Sequence, residues 1–433
     1  MVVINMKKYR ILVFPCGSEI ALEIHRSLRH STHIDLIGAN SVDDHGRYIY
    51  GDYIGGVPFI DDADSIDALR EIVSQRGVDA IYPAMDKVIF RLKACENELG
   101  CKVISSSLET TRICLSKSKT YTHLNGRVKI PCVYSSVGNV RDYPVFIKPD
   151  VGYGARGTYK ADNAIELAAH WTGKRMRDCI ITEYLPGLEY TVDCFTDRRG
   201  TLRFVGPRGR NRISNGISVN TSPIKDGLQE FRGLAKTINN AISFRGAWFF
   251  QVKRDKDGQL TLLEIASRLG GSSGLYRAVG VNFALLSVFD AFDIDVSIEM
   301  NSYDVEMDRA LDNRYKTNLS YSTVYIDLDD TIILNGKVNI EIIAFLYKCI
   351  NEGKFIVLIT RHAKDLQNTL AEYRLGNIFD QVIHLKPTEE KSAQITRPNS
   401  IFVDDSFTER KKVSSACGIP VFDAHMVDVL FST

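Results

Sequence analysis

Short apolar runs alternate with amphipathic stretches over the first hundred residues. Arg-Ile-Leu-Val-Phe (10–14) predicts a buried strand, Pro15-Cys16-Gly17-Ser18 a turn, and 19–29 an amphipathic helix. Strand-like runs return at 34–38, 79–82 and 102–105, with helical patterns at 63–76 and 87–99. Strands alternating with helices predict a parallel sheet with helices on its faces. From 145 the texture changes to longer strands separated by Gly-rich turns, and period-two alternation in TVDCF and FQVKR predicts antiparallel strands with one dry face. A third texture starts near 323. VYIDLDDTII is a buried strand ending in acidic residues, and Asn335-Gly336 marks a tight turn. A helix (338–352), a strand (354–359), a helix (363–375), a strand (381–385), a helix near 388–396 and a strand (400–403) follow.

The chain has 433 residues, which at about 150 per domain predicts roughly three domains. Hydrophobic residues make up 44% and charged residues 25%, which excludes a disordered or fibrous chain. Lys+Arg 54 against Asp+Glu 53 leaves +1, so the charge balance offers nothing to a nucleic acid or a membrane surface. Nine cysteines, scattered and without a C-x-x-C pair, argue against a disulfide framework and a zinc site and for a reducing cytoplasm. The N-terminal apolar run is too short for a signal sequence, and Val281 to Phe292 is broken by Asp290. A soluble cytoplasmic protein is expected. The first turn carries only Gly17, so a dinucleotide fingerprint is missing there.

The middle region carries candidate phosphate chemistry. Gly152, Gly154 and Gly157, in Gly-Tyr-Gly-Ala155-Arg156-Gly, follow a strand ending in Lys148-Pro149. Glycines let backbone N–H groups approach phosphate oxygens, and lysine adds a point charge. A Gly-rich hairpin turn is an equally common reading of this loop alone. Glu183-Tyr184-Leu185 ends one strand, and Glu189 opens the next, where a carboxylate can hold ribose hydroxyls. Gln251, Glu264 and Arg268 lie on two strands split by the Asp257-Gly258 turn, and oxygen ligands beside an arginine suit Mg²⁺ and a transferring phosphoryl group. Arg208 and Arg210 belong to a run of three arginines that reads as a solvated loop or, with more weight, as an anion site.

In this order the set resembles the ATP-grasp superfamily, in the branch of the carbamoyl-phosphate synthetase large subunit. The resemblance covers about 1–318 and includes the segment DAIYPAMD (79–86) and the lead-in SSLETTRICLSKSKT (106–120). It implies an α/β fold, with a Rossmann-like preATP-grasp domain (1–112) and an α+β ATP-grasp domain (113–318). It also implies roles. Lys117 and Lys148 would meet the phosphates, and Gly152 to Thr158 would cover them. Glu183, Tyr184 and Leu185 would line the adenine, and Glu189 would hold the ribose. Gln251 and Glu264 would bind Mg²⁺ (or Mn²⁺), Arg268 would steady the γ-phosphoryl group, and Arg208 or Arg210 would serve the acceptor. The chain departs from the pattern at Ser116, where the family has aspartate, and at Ala266, where an oxygen ligand is missing. Asn282, Ser272 or Ser273 are the candidate replacements, unless a single Mg²⁺ binds tightly.

The last segment places Asp327, Asp329 and Thr331 at one strand end, Thr360 at another, and Asp404 with Asp405 at a third. Carboxylates converging at the C-terminal ends of parallel strands make little sense as core unless a hard cation joins them. This resembles the haloacid dehalogenase (HAD) superfamily of phosphatases over 319–433, and implies a capless Rossmannoid α/β domain. Asp327 would be the nucleophile, Asp329 the acid/base, Thr360 the phosphate-binding hydroxyl, and Lys386 or Lys391 the lysine. Asp327, Asp329, Asp404 and Asp405 would hold Mg²⁺.

Together the resemblances imply a bifunctional enzyme: an ATP-dependent ligase of a small-molecule carboxylate and an amine, acting through an acyl phosphate, with a fused phosphatase for a phosphomonoester. A homodimer is compatible with it. A small-molecule kinase with the same phosphatase, or a degenerate nucleotide sensor, are the alternative readings.

Overall fold

The computed structural model describes residues 7–152, 156–171, 178–315 and 317–431. They divide into two compact units, Met1–Leu311 and Asp312–Thr433. No helix among the described residues is long and apolar enough to cross a membrane, and none of the nine cysteines is in a disulfide.

The first unit opens with a five-stranded sheet in the order Tyr53–Ile54, Ile34–Ala39, Tyr9–Phe14, Ala80–Pro83, Lys102–Val103, all parallel. Its central strand is covered on both faces. Ile11 and Val13 belong to one apolar cluster, and Leu12 and Phe14 to the other, as a continuous apolar run requires. Ser18 caps the helix Glu19–Leu28, accepting from Ala21 N at 3.2 Å. The helix expected over 87–99 is two pieces, Asp86–Ala94 and Glu96–Leu99. It breaks at Cys95, whose N–H bonds to both Arg91 and Leu92 carbonyls while the Glu96 side chain turns to accept from Val103 N.

Among the described residues three antiparallel sheets follow, a small one of Arg212–Ser214, Ile217–Thr221 and Met307–Asp308 and two four-stranded ones. One of the four-stranded pair runs Val133–Tyr134, Cys179–Glu183, Val145–Pro149, Tyr159–Ala161. The other runs Leu202–Gly209, Glu189–Thr196, Gly246–Arg254, Leu260–Ala266. The dry face of the latter carries Val192, Cys194, Trp248 and Phe250, which pack with Phe231 and Ala235 of the helix Leu228–Ala241. Its other face is apolar at Phe195, Phe204 and Ala247 and polar towards Glu189, where the candidate chemistry lies.

The second unit is a five-stranded parallel sheet in the order Gln381–His384, Phe355–Thr360, Thr323–Ile326, Ser400–Val403, Val421–Phe422. Asn335 and Gly336, at φ 51° and 70°, close a two-residue hairpin between Ile333–Leu334 and Lys337–Val338. Helices run Ile340–Asn351 and Leu366–Glu372, capped by Asn339 and Asp365. The helix expected near 388–396 is only a 3₁₀ turn, Lys391–Gln394. Beyond it, the N–H groups of Thr396 and Arg397 go to the Tyr325 hydroxyl instead of a next helical turn. A further helix, Phe407–Cys417, follows the acidic pair and has no counterpart in the sequence reading.

Candidate functional site

In the first unit, strand register arranges the polar face in ranks. Arg208, Thr191, Gln251 and Glu264 are direct cross-strand partners over four strands, and Gly206, Asp193, Phe249 and Ala266 form the neighbouring rank. Glu189 lies one step along, opposite Lys253. Cross-strand partners project to the same side of a sheet. The face thus gathers Gln251, Glu264, Glu189 and Arg208 from segments far apart in sequence.

Two lysines converge on this face. Lys117 Nζ lies 3.9 Å from Glu264 Oε2 and donates to Gly152 O at 3.3 Å. Lys148 is buried, donates to the Tyr121 hydroxyl at 2.8 Å and reaches Leu263 O at 3.4 Å. Burial and then the nearby Lys117 push its ammonium down to about 8, against the opposing pull of Glu264 and Glu189. No carboxylate stands within ion-pair distance of Lys148 among the described residues. A buried ammonium without an anion is costly.

Ser116 and Asp150 hold these lysines in register. Asp150 accepts from Ser116 Oγ at 2.6 Å and Ser118 N at 2.7 Å, and its carbonyl accepts from Lys117 N at 3.1 Å. Ser116 itself caps the helix Lys117–Leu124. A carboxylate is therefore present beside this helix start, but it comes from Asp150, the residue after the strand bearing Lys148. Sequence reasoning missed Asp150 and Tyr121 because both act through tertiary contacts.

Other positions are engaged differently from the sequence expectation. The Arg268 guanidinium stacks over Phe249, 5.2 Å from the ring centre, and pairs through two nitrogens with Asp86 at 2.8 and 2.9 Å. It is thus held by the DAIYPAMD segment rather than presented free. Arg208 is buried and donates from Nε to Asp193 at 2.6 Å. Arg210 lies 2.9 Å from Glu189 and donates to Gly216 O. Burial draws its guanidinium below the ordinary value, with Glu189 opposing. Glu189 therefore faces an arginine from the outset. Arg208 Nη1, Asp193 Oδ1 and Thr191 Oγ1 are buried without hydrogen-bond partners among the described residues.

Glu183 accepts from Cys132 N at 2.8 Å, which ties its carboxylate to the segment before Val133–Tyr134. Tyr184 lies beneath Lys160 and Lys253, 4.9 and 5.3 Å from its ring centre, and Leu185 is buried. Between them and Glu189, Gly187 leaves no room for a side chain, since a Cβ would fall 2.6 Å from Arg254 O. Gly152 and Gly157 border the loop, with Gly157 at φ 71°, and Arg156 lies between them. Gly154 and Ala155 lie outside the described residues.

The candidate substitutes for the ligand missing at Ala266 are spent elsewhere. Asn282 caps the helix Phe283–Ala291 and donates to Ser27 O at 2.7 Å, and Ser272 donates to Ser218 O at 2.9 Å. Ser273 is buried at the start of the helix Gly274–Ala278. Asp193 shares the rank of Ala266 but stands beyond Phe249, tied to Arg208. Gln251 and Glu264 stand opposite each other on this face as neighbouring oxygen donors.

In the second unit, one carboxylate oxygen from each of Asp327, Asp404 and Asp405 lies within 4.8 Å of the others, the arrangement a divalent cation takes. Lys391 Nζ stands between two of them, 2.7 Å from Asp327 and 2.6 Å from Asp404. Burial raises Asp327 to about 6, with Lys391 opposing and Asp404 adding to the rise. Asp404 is raised for the same leading reason. Lys386 is exposed and its N–H serves Glu389, so of the two lysines only Lys391 is in the cluster. Thr331 ties the loop to Asp405, its Oγ1 accepting from Asp405 N at 3.0 Å. The Thr360 hydroxyl accepts from His362 N at 3.2 Å, which leaves its own proton to donate. Asp329 is not part of the ligand cluster. Its carboxylate turns to His362, a residue sequence reasoning missed although it stands two positions after Thr360.

The family described as ATP-grasp in the biosynthetic pathway with Ter operon matches residues 175–311. No curated protein matches the chain in sequence. Among solved structures, the biotin carboxylase domain of Hydrogenobacter thermophilus 2-oxoglutarate carboxylase, in complex with MgADP, ADP and bicarbonate, superposes with a TM-score of 0.58 at 16% identity, covering 69% of this chain and 73% of that one. N5-carboxyaminoimidazole synthetase from Staphylococcus aureus, complexed with ADP, gives 0.57 at 17%, over 68% and 80%. L-amino acid ligase from Bacillus licheniformis gives 0.54 at 16%, over 66% and 75%. The chain contains an ATP-grasp fold. The family match spans all four strands of the ranked sheet, while Lys117 and Lys148 lie ahead of it.

Proposed function

We propose that the ATP-grasp part is an ATP-dependent ligase that activates a carboxylate of a small molecule by phosphorylation and passes the acyl group to an amine. The observation that carries this reading is the pair of lysines at the ranked face, Lys117 beside Glu264 and Lys148 buried with no carboxylate in ion-pair distance among the described residues. Lys148 and Lys117 would hold phosphate oxygens of ATP, and Glu264 with Gln251 would hold Mg²⁺, which supplies charge neutralisation at the transferring phosphoryl group. With Ala266 in place of a further oxygen ligand, we assign one tightly held Mg²⁺. Glu189 would accept from the ribose while Arg210 fixes its orientation. The orphaned Arg208 Nη1 offers a buried donor for an anionic group of the acceptor. The nucleotide complexes of the structurally similar proteins agree with this reading.

For the second unit we infer a capless phosphatase of the haloacid dehalogenase type. Asp327 would attack phosphorus, Asp329 would serve the leaving oxygen as acid and water as base, Thr360 would donate to the phosphoryl group, and Lys391 would hold Asp327 and Asp404 in place. The Asp327–Asp404–Asp405 cluster fits Mg²⁺, which supplies the charge that brings phosphate to a carboxylate.

The test is an ADP-release screen with MgATP over paired carboxylates and amines, followed by phosphorus NMR. Ligation gives ADP and inorganic phosphate in step with a new amide, whereas a phosphoryl group left on the acceptor would make the protein a kinase. Glu264→Ala should stop ATP turnover and spare phosphomonoester hydrolysis, and Asp327→Asn should do the reverse. If either variant abolished both activities in a folded protein, two independent sites could not be maintained.

A further inference from the structure

Asp329 is held by a ring that no part of the acidic pattern announces. Both of its carboxylate oxygens lie near His362 Nδ1, at 2.9 and 3.0 Å, and Nε2 of the same ring meets Thr369 Oγ1 at 2.9 Å. The His362 side chain is 9% exposed and that of Asp329 49%, so an enclosed ring anchors a half-exposed carboxylate. The ring is itself fixed. Its residue's N–H donates to Thr360 Oγ1, its carbonyl accepts from His384 Nε2 at 2.8 Å, and Thr369 stands on the helix Leu366–Glu372 that Asp365 caps. A carboxylate facing Nδ1 places the proton there, so Nδ1–H donates to Asp329 and the Thr369 hydroxyl donates to Nε2.

We propose that His362 is the positioning residue for Asp329, setting the direction in which that carboxyl group gives and takes its proton. The inference rests on the phosphatase reading of the second unit. In the first half-reaction an Asp327 oxygen bonds to phosphorus, the ester P–O bond breaks, and the departing oxygen takes the proton of Asp329. In the second, water bonds to phosphorus, the Asp327–phosphorus bond breaks, and the proton of that water returns to Asp329. Asp329 needs one oxygen for the travelling proton at both stages, and its other oxygen accepts from His362 throughout, whether the group is ionised or neutral. Without the ring, a half-exposed aspartate is free to leave the one rotamer that points at the leaving group.

The consequence depends on how much the leaving group needs a proton. A nitrophenolate departs unaided, whereas an alkoxide does not. The experiment compares p-nitrophenyl phosphate with 2-phosphoglycerol, using the full chain with Mg²⁺, as wild type, His362→Ala, His362→Asn, Asp329→Asn and the Asp329→Asn/His362→Ala double variant. Misdirected acid catalysis should cost His362→Ala about 100-fold in kcat on the alkyl ester and less than about 5-fold on the aryl ester, with KM little changed. Asn carries an amide N–H close to where Nδ1–H stood, so His362→Asn should recover most of the alkyl activity. In the Asp329→Asn background, His362→Ala should change nothing further. Equal losses on both esters, failure of Asn to rescue, or an undiminished effect without Asp329 would each overturn the positioning role. If the folded wild type hydrolysed neither ester, the phosphatase reading would fall and this inference with it; activity on either ester keeps the two questions apart.

Discussion

Replacing Lys148 by methionine should stabilise the unliganded first unit while removing its affinity for ATP. The lysine is 6% exposed and its ammonium lies at about 8 instead of the ordinary 10.5. At about 1.4 kcal/mol per pH unit, that displacement corresponds to a cost of about 3 kcal/mol for keeping the charge in the apo protein. Methionine keeps the linear stem and discards the charge, at the loss of a hydrogen bond to Tyr121 worth about 1 kcal/mol. Tyr121 keeps its other bond, to Leu263 O at 2.7 Å. The net expectation is a gain of about 2 kcal/mol at pH 7. The sign follows from proton counting. Between pH 8 and 10.5 the unfolded chain binds the proton that the folded protein sheds, so wild-type stability rises across that window. The advantage of Lys148→Met is therefore complete below pH 8 and fades above it. Thermal unfolding of the first unit between pH 7 and 10, with and without MgATP, reads both effects. A ligand at 100 times its Kd should add about 2.7 kcal/mol to the wild type and nothing to the variant. A less stable variant at pH 7, or one that still shifts with MgATP, would refute the argument that this charge is buried in wait for an anion.

Glu189→Ala should weaken ATP binding about tenfold with little change in kcat, because a ribose contact acts alike on ground and transition states; titration calorimetry beside turnover assays separates the two. Asp150→Ala should cost about 1–2 kcal/mol of stability by freeing the Ser116 hydroxyl and the Ser118 N–H, and should raise the KM for ATP by loosening Lys117, both readable by denaturant titration and kinetics. Lys391→Met should destabilise the second unit by about 3–5 kcal/mol, since it leaves Asp327 and Asp404 facing each other, and Mg²⁺ should restore part of the loss in a thermal scan.

Much of this architecture is legible in the residues themselves. The runs at 10–14 and 355–360 are apolar without alternation because both faces of a parallel sheet are covered, and Asn335-Gly336 has the positive φ angles that a two-residue hairpin demands. The ranked face was half legible. The Asp257-Gly258 turn places Gln251 and Glu264 on neighbouring strands, but a bulge after Gln251 sets which residues face each other, and Arg208 and Thr191 join the rank by pairings no local pattern encodes. Lys391 and Lys386 look alike in sequence. Only the burial of Lys391 between two carboxylates separates them, and the helix expected near 388–396 is a single 3₁₀ turn. Asp150, Tyr121, Asp193 and His362 escaped notice for one reason. Each does its work on a residue distant in sequence, and none sits in a spacing that its chemistry requires.

The two buried lysines show how the same side chain is prepared for different partners. Lys391 stands among Asp327, Asp404 and Asp405, and one ammonium against three carboxylates leaves two negative charges uncompensated, the charge that a single divalent cation cancels. Burial is what raises Asp327 and Asp404 first, with Lys391 opposing and a neighbouring carboxylate adding a smaller push in each case. Around Lys148 the surroundings differ. Lys117 lies near Glu264, Asp150 is tied to Ser116 and Ser118, and the arginines nearby are matched, Arg268 by Asp86, Arg208 by Asp193 and Arg210 by Glu189. Lys148 is more enclosed than Lys117, and burial lowers its ammonium. Lys391 has its carboxylates, Lys148 has none within ion-pair distance among the described residues, and this difference in surroundings should make Lys391→Met destabilising and Lys148→Met stabilising.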